Sequence, residues 1–320
     1  MAPGRADGTC RFAAWPKLCM GVAGGACILA VGLGSAKGVQ ADTTEGFEAK
    51  GRTRRNVTPL LDRVAVITGS SQGIGAGIAT EMAWSGADIC INYLGDIRPA
   101  EEVAQEIRRI GRRAVIVEAD VSDRAAIERM FNITEKELGP VSILVTNAVT
   151  SKRQALLDTD VDEFERTLRI GLLGVFHCMQ VFSQRMVAQG RTGGSIVHIS
   201  SPHAKSPFKN ALDYNVAKAG SHHLALSAAN ELMWSGIRVN IVQPGWTYTQ
   251  GELRLHSQEA LDKSAASMPL GRLCMPEDIG KASVWLCSDE AAYVTGADIT
   301  VDGGQWLDPD PAWTSVRRNL

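Results

Sequence analysis

The sequence lacks the patterns of a cysteine-rich or polyanion-binding protein. Its seven cysteines include no C-x-x-C pair and no histidine at the spacing of a zinc ligand, which argues against a disulfide framework and a zinc site. The 33 basic and 35 acidic side chains leave a net charge of -2, so no overall field favours nucleic acid or an anionic membrane. With 32 glycines and 12 prolines in 320 residues, a collagen-like or low-complexity chain is excluded. A mixed globular fold remains.

Charge is also absent from one long stretch near the N-terminus, residues 18–36. Arg11 and Lys17 precede this stretch and Lys37 follows it, a layout similar to that of a signal peptide. Its five glycines lower its apolar character, and its length is at the lower limit of a membrane span. Two interpretations stay open. The stretch is either a targeting or anchor segment, which would be the only route to membrane association, or part of a disordered extension.

Changes in residue pattern along the chain divide it into an N-terminal extension (residues 1–59), a single domain (residues 60–307) and a C-terminal tail (residues 308–320). In the domain, short β-branched runs alternate with helical patterns, which is typical of a parallel sheet with helices on both faces. Strands are predicted at residues 63–68, 88–92, 114–118, 143–147, 195–199, 238–243 and 298–301, and helices around 75–85, 100–109, 125–138, 162–188, 213–234 and 277–286. We therefore predict a doubly wound α/β fold with its ligand crevice at the carboxyl ends of seven strands.

A glycine-rich loop follows the first predicted strand: residues 68–75 read T-G-S-S-Q-G-I-G and lead into a helix. Gly69, Gly73 and Gly75 allow the backbone to approach a phosphate group closely, and the helix N-terminus offers free N–H groups. The spacing differs from the G-x-G-x-x-G fingerprint of dinucleotide sites, and a glycine-rich turn without a ligand is the alternative. The loop predicts an anion site at the start of the helix.

With the segments that follow it, this loop resembles the classical short-chain dehydrogenase/reductase family. Asp120-Val121, Thr146-Asn147-Ala148-Val149 and Pro244-Gly245, each at or just after the end of a predicted strand, are similar to further motifs of that family. The resemblance covers about residues 60–307 and implies a Rossmann-like fold that binds NAD or NADP. The cofactor-binding residues that it implies are Gly69, Ser71, Gln72, Gly73, Ile74, Gly75, Tyr93, Asp120, Val121, Asn147, Tyr214, Lys218, Pro244, Gly245, Thr247 and Thr249.

Tyr214 and Lys218 are four residues apart in a helical pattern, so their side chains emerge from the same face. A nearby ammonium group favours the phenolate and lowers the pKa of a tyrosine, which is normally about 10. The resemblance implies that Tyr214 exchanges a proton with the substrate oxygen and that Lys218 also holds the nicotinamide ribose. For such a pair on its own, a solvated helix face is the alternative.

A hydroxyl group thirteen residues before Tyr214 completes the candidate site. Ser201 follows the fifth predicted strand and can stabilise the charge that develops on the substrate oxygen. Its neighbour Ser200 is the alternative, to which we assign a cap or turn role. The catalytic residues implied are therefore Ser201, Tyr214 and Lys218. No metal site is predicted, because the adjacent His222 and His223 point to different faces of a helix.

Two residues depart from the family pattern. Val149 stands where the family has a glycine beside the cofactor, and Gly171 stands where it has an asparagine that holds a proton-relay water. The first departure adds a side chain and the second removes one. They keep open an alternative function, namely a nucleotide-binding homologue with weakened turnover and a binding or regulatory role.

The end of the second predicted strand bears on the choice of cofactor. No carboxylate stands where it would bind the ribose 2′-hydroxyl of NAD, and Asp96 follows slightly late. This favours NADP. NAD stays the alternative, because the phosphate loop contains no Arg or Lys and Arg98 is the nearest cation.

The resemblance implies a small-molecule substrate, a secondary alcohol or ketone such as those of sugar dehydrogenases and 3-oxoacyl reductases. Residues 248–270, with Pro202, His203 and Phe208, are expected to line the open side of the cleft. Because nicotinamide cofactors are supplied inside cells, we expect a cytoplasmic location, with export or membrane anchoring through residues 18–36 as the alternative. A homotetramer is expected from the resemblance alone.

Overall fold

The computed structural model describes residues 58–307. The interpretations of residues 18–36 and of the tail at residues 308–320 therefore lie outside the described residues. Seven strands form one sheet in this part of the chain. They are β1 (Val64–Ile67), β2 (Asp88–Tyr93), β3 (Ala114–Glu118), β4 (Ile143–Thr146), β5 (Gly194–Ile199), β6 (Ile237–Pro244) and β7 (Asp298–Val301). All neighbouring strands pair in parallel, which confirms the predicted sheet.

Helices cover both faces of the sheet. They are α1 (Gly73–Trp84), α2 (Arg98–Arg109), α3 (Arg124–Leu138), α4 (Val161–Leu168), α5 (Gly174–Ala188), α6 (Leu212–Leu232), α7 (Gln250–Leu255), α8 (Gln258–Ser267) and α9 (Pro276–Cys287). One apolar core joins α3, α5 and α6 to the sheet, and a second core on the opposite face joins α1, α2 and α9. Because both faces are buried, strands such as β1 and β4 are apolar almost throughout.

The strand order is β3-β2-β1-β4-β5-β6-β7. The chain leaves β3 at one edge and returns to pair β4 with β1, so the direction of winding reverses between these two central strands. The loops that follow β1 and β4 diverge at this point and leave a crevice beyond the carboxyl ends of the strands. The predicted glycine loop after β1 and Asn147 after β4 lie on either side of it.

The helix predicted at residues 162–188 is interrupted. The structure has α4, then a π-helical segment at Arg169–Leu173, then α5. Gly171 lies in this segment, and a Cβ atom at Gly171 would lie 3.2 Å from Ala217 Cβ on α6. The helical repeat alone does not report such a widened turn, because the hydrophobic pattern continues through it.

Two short helices, α7 and α8, were not predicted and occupy the segment assigned to the open side of the cleft. Both begin at side-chain caps: the Thr249 hydroxyl accepts from the Glu252 N–H, and the Ser257 hydroxyl accepts from the Ala260 N–H. The spacing of Thr249 and Glu252 is that of a capping box, so the sequence did carry a signal for α7. Among the helices at residues 58–307, none has both the length and the apolar composition needed to cross a membrane.

Candidate active site

The glycine loop forms a tight cradle between β1 and α1. Gly69 and Gly73 have φ angles of 61° and 57°, in the left-handed region that favours glycine. A Cβ atom at Gly75 would lie 2.3 Å from the Gly69 carbonyl oxygen, so any side chain there would push the loop open. No side chain caps the first turn of α1 at Gln72, which leaves its N–H groups for a ligand. This cradle suits a phosphate group.

A cavity of about 450 Å³ extends from this cradle across the ends of β2, β3 and β4. Predicted cofactor residues that line it are Gly69, Ser71, Gln72, Gly73, Ile74, Tyr93, Asp120, Val121, Asn147 and Thr249. Gly75 lines neither this cavity nor the one described below. The close approach of Gly75 to the Gly69 carbonyl oxygen leaves no room for a side chain, and its direct contact with a cofactor stays a prediction.

Two amides hold the cradle in place. The Asn147 side-chain amide donates to the carbonyl oxygens of Thr68 at 2.9 Å and Gly69 at 3.1 Å. The Asn92 side chain accepts from the Gly69 N–H at 3.0 Å and donates to the Ala119 carbonyl at 2.9 Å. The prediction missed Asn92, although an asparagine directly after the apolar residues 89–91 of a predicted strand is itself a signal.

The three predicted catalytic residues line a single second cavity of about 720 Å³. The end of β5 supplies Ser201, and α6 supplies Tyr214 and Lys218. Pro244, Gly245, Thr247 and Thr249 after β6 line the same cavity. Ile74, Asn147, Val149 and Thr249 line both cavities, so the phosphate cradle and the catalytic residues border one continuous crevice.

Lys218 is almost completely buried, and its Nζ donates to the Ile199 carbonyl oxygen at 2.7 Å. Nζ lies 5.6 Å from the centroid of the Tyr214 ring. Burial lowers the pKa of Lys218 to about 8. The ammonium group is therefore close to the tyrosine, as the spacing on the helix predicted.

The expected lowering of the Tyr214 pKa is not found. Burial raises the pKa of Tyr214 above 10, and this outweighs the opposing effects of the Arg153 cation and of a hydrogen bond with Ser201. The prediction from Lys218 alone neglected the desolvation of the phenol. Tyr214 is consequently a protonated phenol near neutral pH.

The two adjacent serines make different contacts. Ser201 lies beside Tyr214, where it opposes the rise in the tyrosine pKa, and it also caps the short 3₁₀ helix at Pro202–Ala204, where it accepts from the His203 N–H at 3.3 Å. Ser200 Oγ lies 3.0 Å from His222 Nδ1 on α6 and makes a hydrogen bond there. The cap role predicted for Ser200 therefore belongs to Ser201, which is also the serine beside the tyrosine.

The side chain of Val149 borders the space beside Gly171. A Cβ atom at Gly171 would lie 3.3 Å from Val149 Cγ2, so the valine methyl group borders the place that a larger residue at 171 would need. The two departures from the family pattern are thus in contact with each other. Val149 also lines both cavities.

Aromatic and cationic side chains lie beside Tyr214. Of these, His203 and Phe208 were predicted to line the cleft and do line it, whereas Arg153 and Trp306 were not predicted. The Arg153 guanidinium lies over the Tyr214 ring, with Cζ 4.2 Å from the centroid. The ring edge of Tyr214 meets His203, whose centroid is 4.9 Å away, and His203 stacks on Phe208 at 4.0 Å. Trp306 then packs edge-on against Phe208 at 5.4 Å.

Comparison with known proteins agrees with this geometry. The profile of a family described as enoyl-(acyl carrier protein) reductase matches residues 69–305. The chain belongs to the short-chain dehydrogenase/reductase family. An L-rhamnose 1-dehydrogenase (NAD(P)(+)) from Sphingomonas sp. is 40% identical over 249 residues, which are 78% of this chain and 98% of that protein.

Two further members of the family differ in the substrates that their names state. A cis-4-hydroxycyclohexanecarboxylate dehydrogenase from Sinomonas cyclohexanicum is 38% identical over 77% of this chain and 97% of its own length. A 3-oxoacyl-[acyl-carrier-protein] reductase from Staphylococcus aureus is 32% identical over 77% of this chain and 99% of its own length. Among solved structures, a short-chain dehydrogenase/reductase from Mycobacterium marinum superposes with a TM-score of 0.73 at 32% identity, covering 79% of this chain and 99% of that one.

Proposed function

We infer that the protein is an NAD(P)-dependent oxidoreductase that transfers hydride between the cofactor and a secondary alcohol or ketone. The observation that carries the proposal is the position of Ser201, Tyr214 and Lys218 in a cavity that adjoins the phosphate cradle. The cradle, with glycines at positions 69 and 73 and an uncapped helix start, has the shape and donors that a dinucleotide pyrophosphate requires.

Each catalytic residue has a proposed task. When bound, NAD(P) supplies or accepts the hydride. Tyr214 gives its proton to the carbonyl oxygen during reduction and takes it back during alcohol oxidation, and its raised pKa supports the protonated form. Ser201 donates a hydrogen bond to the same oxygen as its charge develops. Lys218, held on the Ile199 carbonyl, orients the nicotinamide ribose and adds positive charge.

We propose that the protein prefers NADP. Leu94 follows β2 and lines the nucleotide cavity where a carboxylate would otherwise bind the 2′-hydroxyl of NAD. Asp96 does not line this cavity, and its carboxylate is held by Arg98, with Arg98 Nη2 2.7 Å from Oδ2. A 2′-phosphate therefore meets no fixed acidic side chain at the end of β2.

A homotetramer in the cytoplasm is part of the same proposal. Exposed apolar side chains lie on α4 (Val161), on the π-helical segment (Leu173) and on α5 (Phe176). We propose that they contribute to the subunit interface, because exposed apolar side chains are buried when subunits associate. The cytoplasmic location follows from the supply of nicotinamide cofactors. The alternative of a homologue without turnover gains no support from the comparisons, because the relatives described above are named as dehydrogenases or reductases.

A turnover panel tests the proposal. Purified full-length protein is assayed with NAD and NADP against sugars, cyclic secondary alcohols and, with the reduced cofactors, 3-oxoacyl thioesters and ketones. Absorbance of the reduced nicotinamide is the readout. We expect turnover in at least one class with a larger kcat/KM for NADP. Cofactor binding without any turnover across the panel would favour the alternative.

A further inference from the structure

The charges around Tyr214 are unbalanced. Besides Lys218, the catalytic cavity is lined by the cations Arg153 and Lys209, whereas Glu252 is the one acidic residue in its lining. Within residues 58–307, no carboxylate lies at ion-pair distance from either Arg153 or Lys209. Among the residues that the structure describes, these two cations of the cavity lining therefore have no carboxylate partner.

The single carboxylate is occupied by its neighbours. Glu252 Oε2 accepts a hydrogen bond from Trp246 Nε1 at 2.7 Å and lies 3.6 Å from His256 Nε2. Trp246 and His256 also pack against each other, with ring centroids 5.4 Å apart. Glu252 is thus held by Trp246 and His256 and makes no ion pair with Arg153.

Two other cationic side chains, unlike Arg153, lie at ion-pair distance from carboxylates. Lys152, the preceding residue, lies 3.8 Å from a Glu163 carboxylate oxygen, and Lys205 pairs with Asp298. Arg153 instead lies over the ring of Tyr214. Although Arg153 is solvent-exposed, the local backbone places its guanidinium against the ring of Tyr214.

That backbone has an uncommon conformation. Arg153 has a φ angle of 56°, and Asn210, the other non-glycine residue of the cavity lining with a positive φ, has the same value. Such residues persist where surrounding contacts hold them, and they cluster at binding sites. Here Ser151 provides the contact: its hydroxyl donates to Asp213 on α6 at 3.1 Å and accepts from the Arg153 N–H at 3.3 Å. Arg153 is thereby tied to the start of the helix that carries Tyr214.

We propose that the substrate is a compact hydroxy acid, or the corresponding keto acid, whose carboxylate is bound by Arg153 while its alcohol or carbonyl carbon faces Tyr214. The inference rests on the proposed function, which supplies the hydride transfer. The carboxylate takes no part in that step. Oxidation breaks the C–H bond to give hydride to the cofactor and releases the hydroxyl proton to Tyr214.

The position of Arg153 limits the size of the substrate. Because its guanidinium lies against the face of the Tyr214 ring, an anion bound to it is only a few bonds from the carbon that reacts beside the phenol oxygen. A guanidinium group binds a carboxylate through two parallel hydrogen bonds. A carboxylate therefore gains a charge-assisted contact that a neutral sugar cannot make, and Lys209, which lines the same cavity from a second loop, adds positive charge.

Matched substrate pairs test the inference. The pairs are 4-hydroxycyclohexanecarboxylate and its carboxamide, and 3-hydroxybutanoate and its carboxamide. Each is offered to the full-length protein saturated with cofactor, and both binding by calorimetry and kcat/KM are measured. We expect Arg153→Gln to reduce the ratio of carboxylate to carboxamide kcat/KM by about 10- to 100-fold, the range for a lost charge-assisted hydrogen bond. Arg153→Lys should restore part of it, and Lys152→Gln should leave it unchanged.

Use of the ratio separates substrate binding from an effect on the tyrosine. A change in the acidity of Tyr214 would alter both members of a pair equally. An unchanged ratio in Arg153→Gln, or absence of carboxylate binding to the wild-type protein, overturns the inference. Turnover of the carboxamides alone would overturn it while leaving the proposed function intact. Carboxylate binding without turnover of any compound would instead contradict the proposed function.

Discussion

The side chain of Val149 borders the space that a side chain at Gly171 would need: Val149 Cγ2 lies 3.3 Å from the position of a Cβ atom on Gly171. Ala217 Cβ closes the other side at 3.2 Å. Because the valine side chain and the missing side chain are complementary, the two departures from the family pattern are a linked pair. Lys218, one residue beyond Ala217, instead has its amine on a main-chain carbonyl.

The linkage predicts non-additive effects on stability. Gly171→Asn alone should reduce the free energy of unfolding by about 1–3 kcal/mol, because the new side chain overpacks a filled site. In a Val149→Gly background, Gly171→Asn should reduce the free energy of unfolding by clearly less. Urea unfolding of the two single variants and the double variant measures the coupling. Equal costs of Gly171→Asn in both backgrounds would show that the two residues are independent.

The end of β2 predicts how cofactor preference can be changed. Leu94→Asp places a carboxylate beside the nucleotide cavity, where it can accept from the ribose 2′-hydroxyl of NAD and repels a 2′-phosphate. We expect the ratio of NADP to NAD kcat/KM to fall by at least about tenfold, the equivalent of one charge-assisted hydrogen bond. Leu94 is 57% exposed, so the substitution should fold normally. Leu94→Asn is the matched neutral control, and an equal shift in that variant would rule out the electrostatic explanation.

The raised pKa of Tyr214 predicts opposite pH profiles for the two directions of reaction. Alcohol oxidation needs the phenolate, whose fraction increases roughly tenfold per pH unit below the pKa. Since burial raises that pKa above its usual value and Lys218 keeps its charge up to its own pKa of about 8, kcat/KM for oxidation should rise from pH 6 to pH 8. Carbonyl reduction needs the phenol and should not show this rise. Initial rates at fixed ionic strength measure both profiles, and a flat oxidation profile in this range would be inconsistent with the raised pKa.

The residues at the strand ends were predictable because local chemistry determines them. A β-branched run followed by T-G-x-x-x-G-x-G can form little other than a buried strand, a tight turn and a helix start, and β1, Gly69 and Gly73 have that arrangement. Helical spacing predicted that Tyr214 and Lys218 lie on the same face of a helix, and the resemblance to the family supplied their catalytic roles. Parallel strands then bring these ends together at one edge of the sheet.

The wall of the substrate cavity could not be predicted in the same way. His203 and Phe208 were predicted to line the cleft, but Arg153 and Trp306 come from loops far from them in the sequence, and only the fold brings Arg153 onto Tyr214 and Trp306 onto Phe208. The acidity of Tyr214 was mispredicted for a related reason: spacing on a helix identifies the nearby cation, whereas burial depends on every element that packs around the ring.

The central claim, that Tyr214 is the proton-exchanging group, is tested most directly by Tyr214→Phe. We expect kcat to fall by about 10²- to 10⁴-fold, as for the loss of a general acid or base, while the dissociation constant for NADP changes little. Tyr293→Phe is the matched control, since the Tyr293 side chain is fully exposed and away from the cavities. Turnover by Tyr214→Phe at the wild-type rate, with the same substrate and cofactor, would contradict the account.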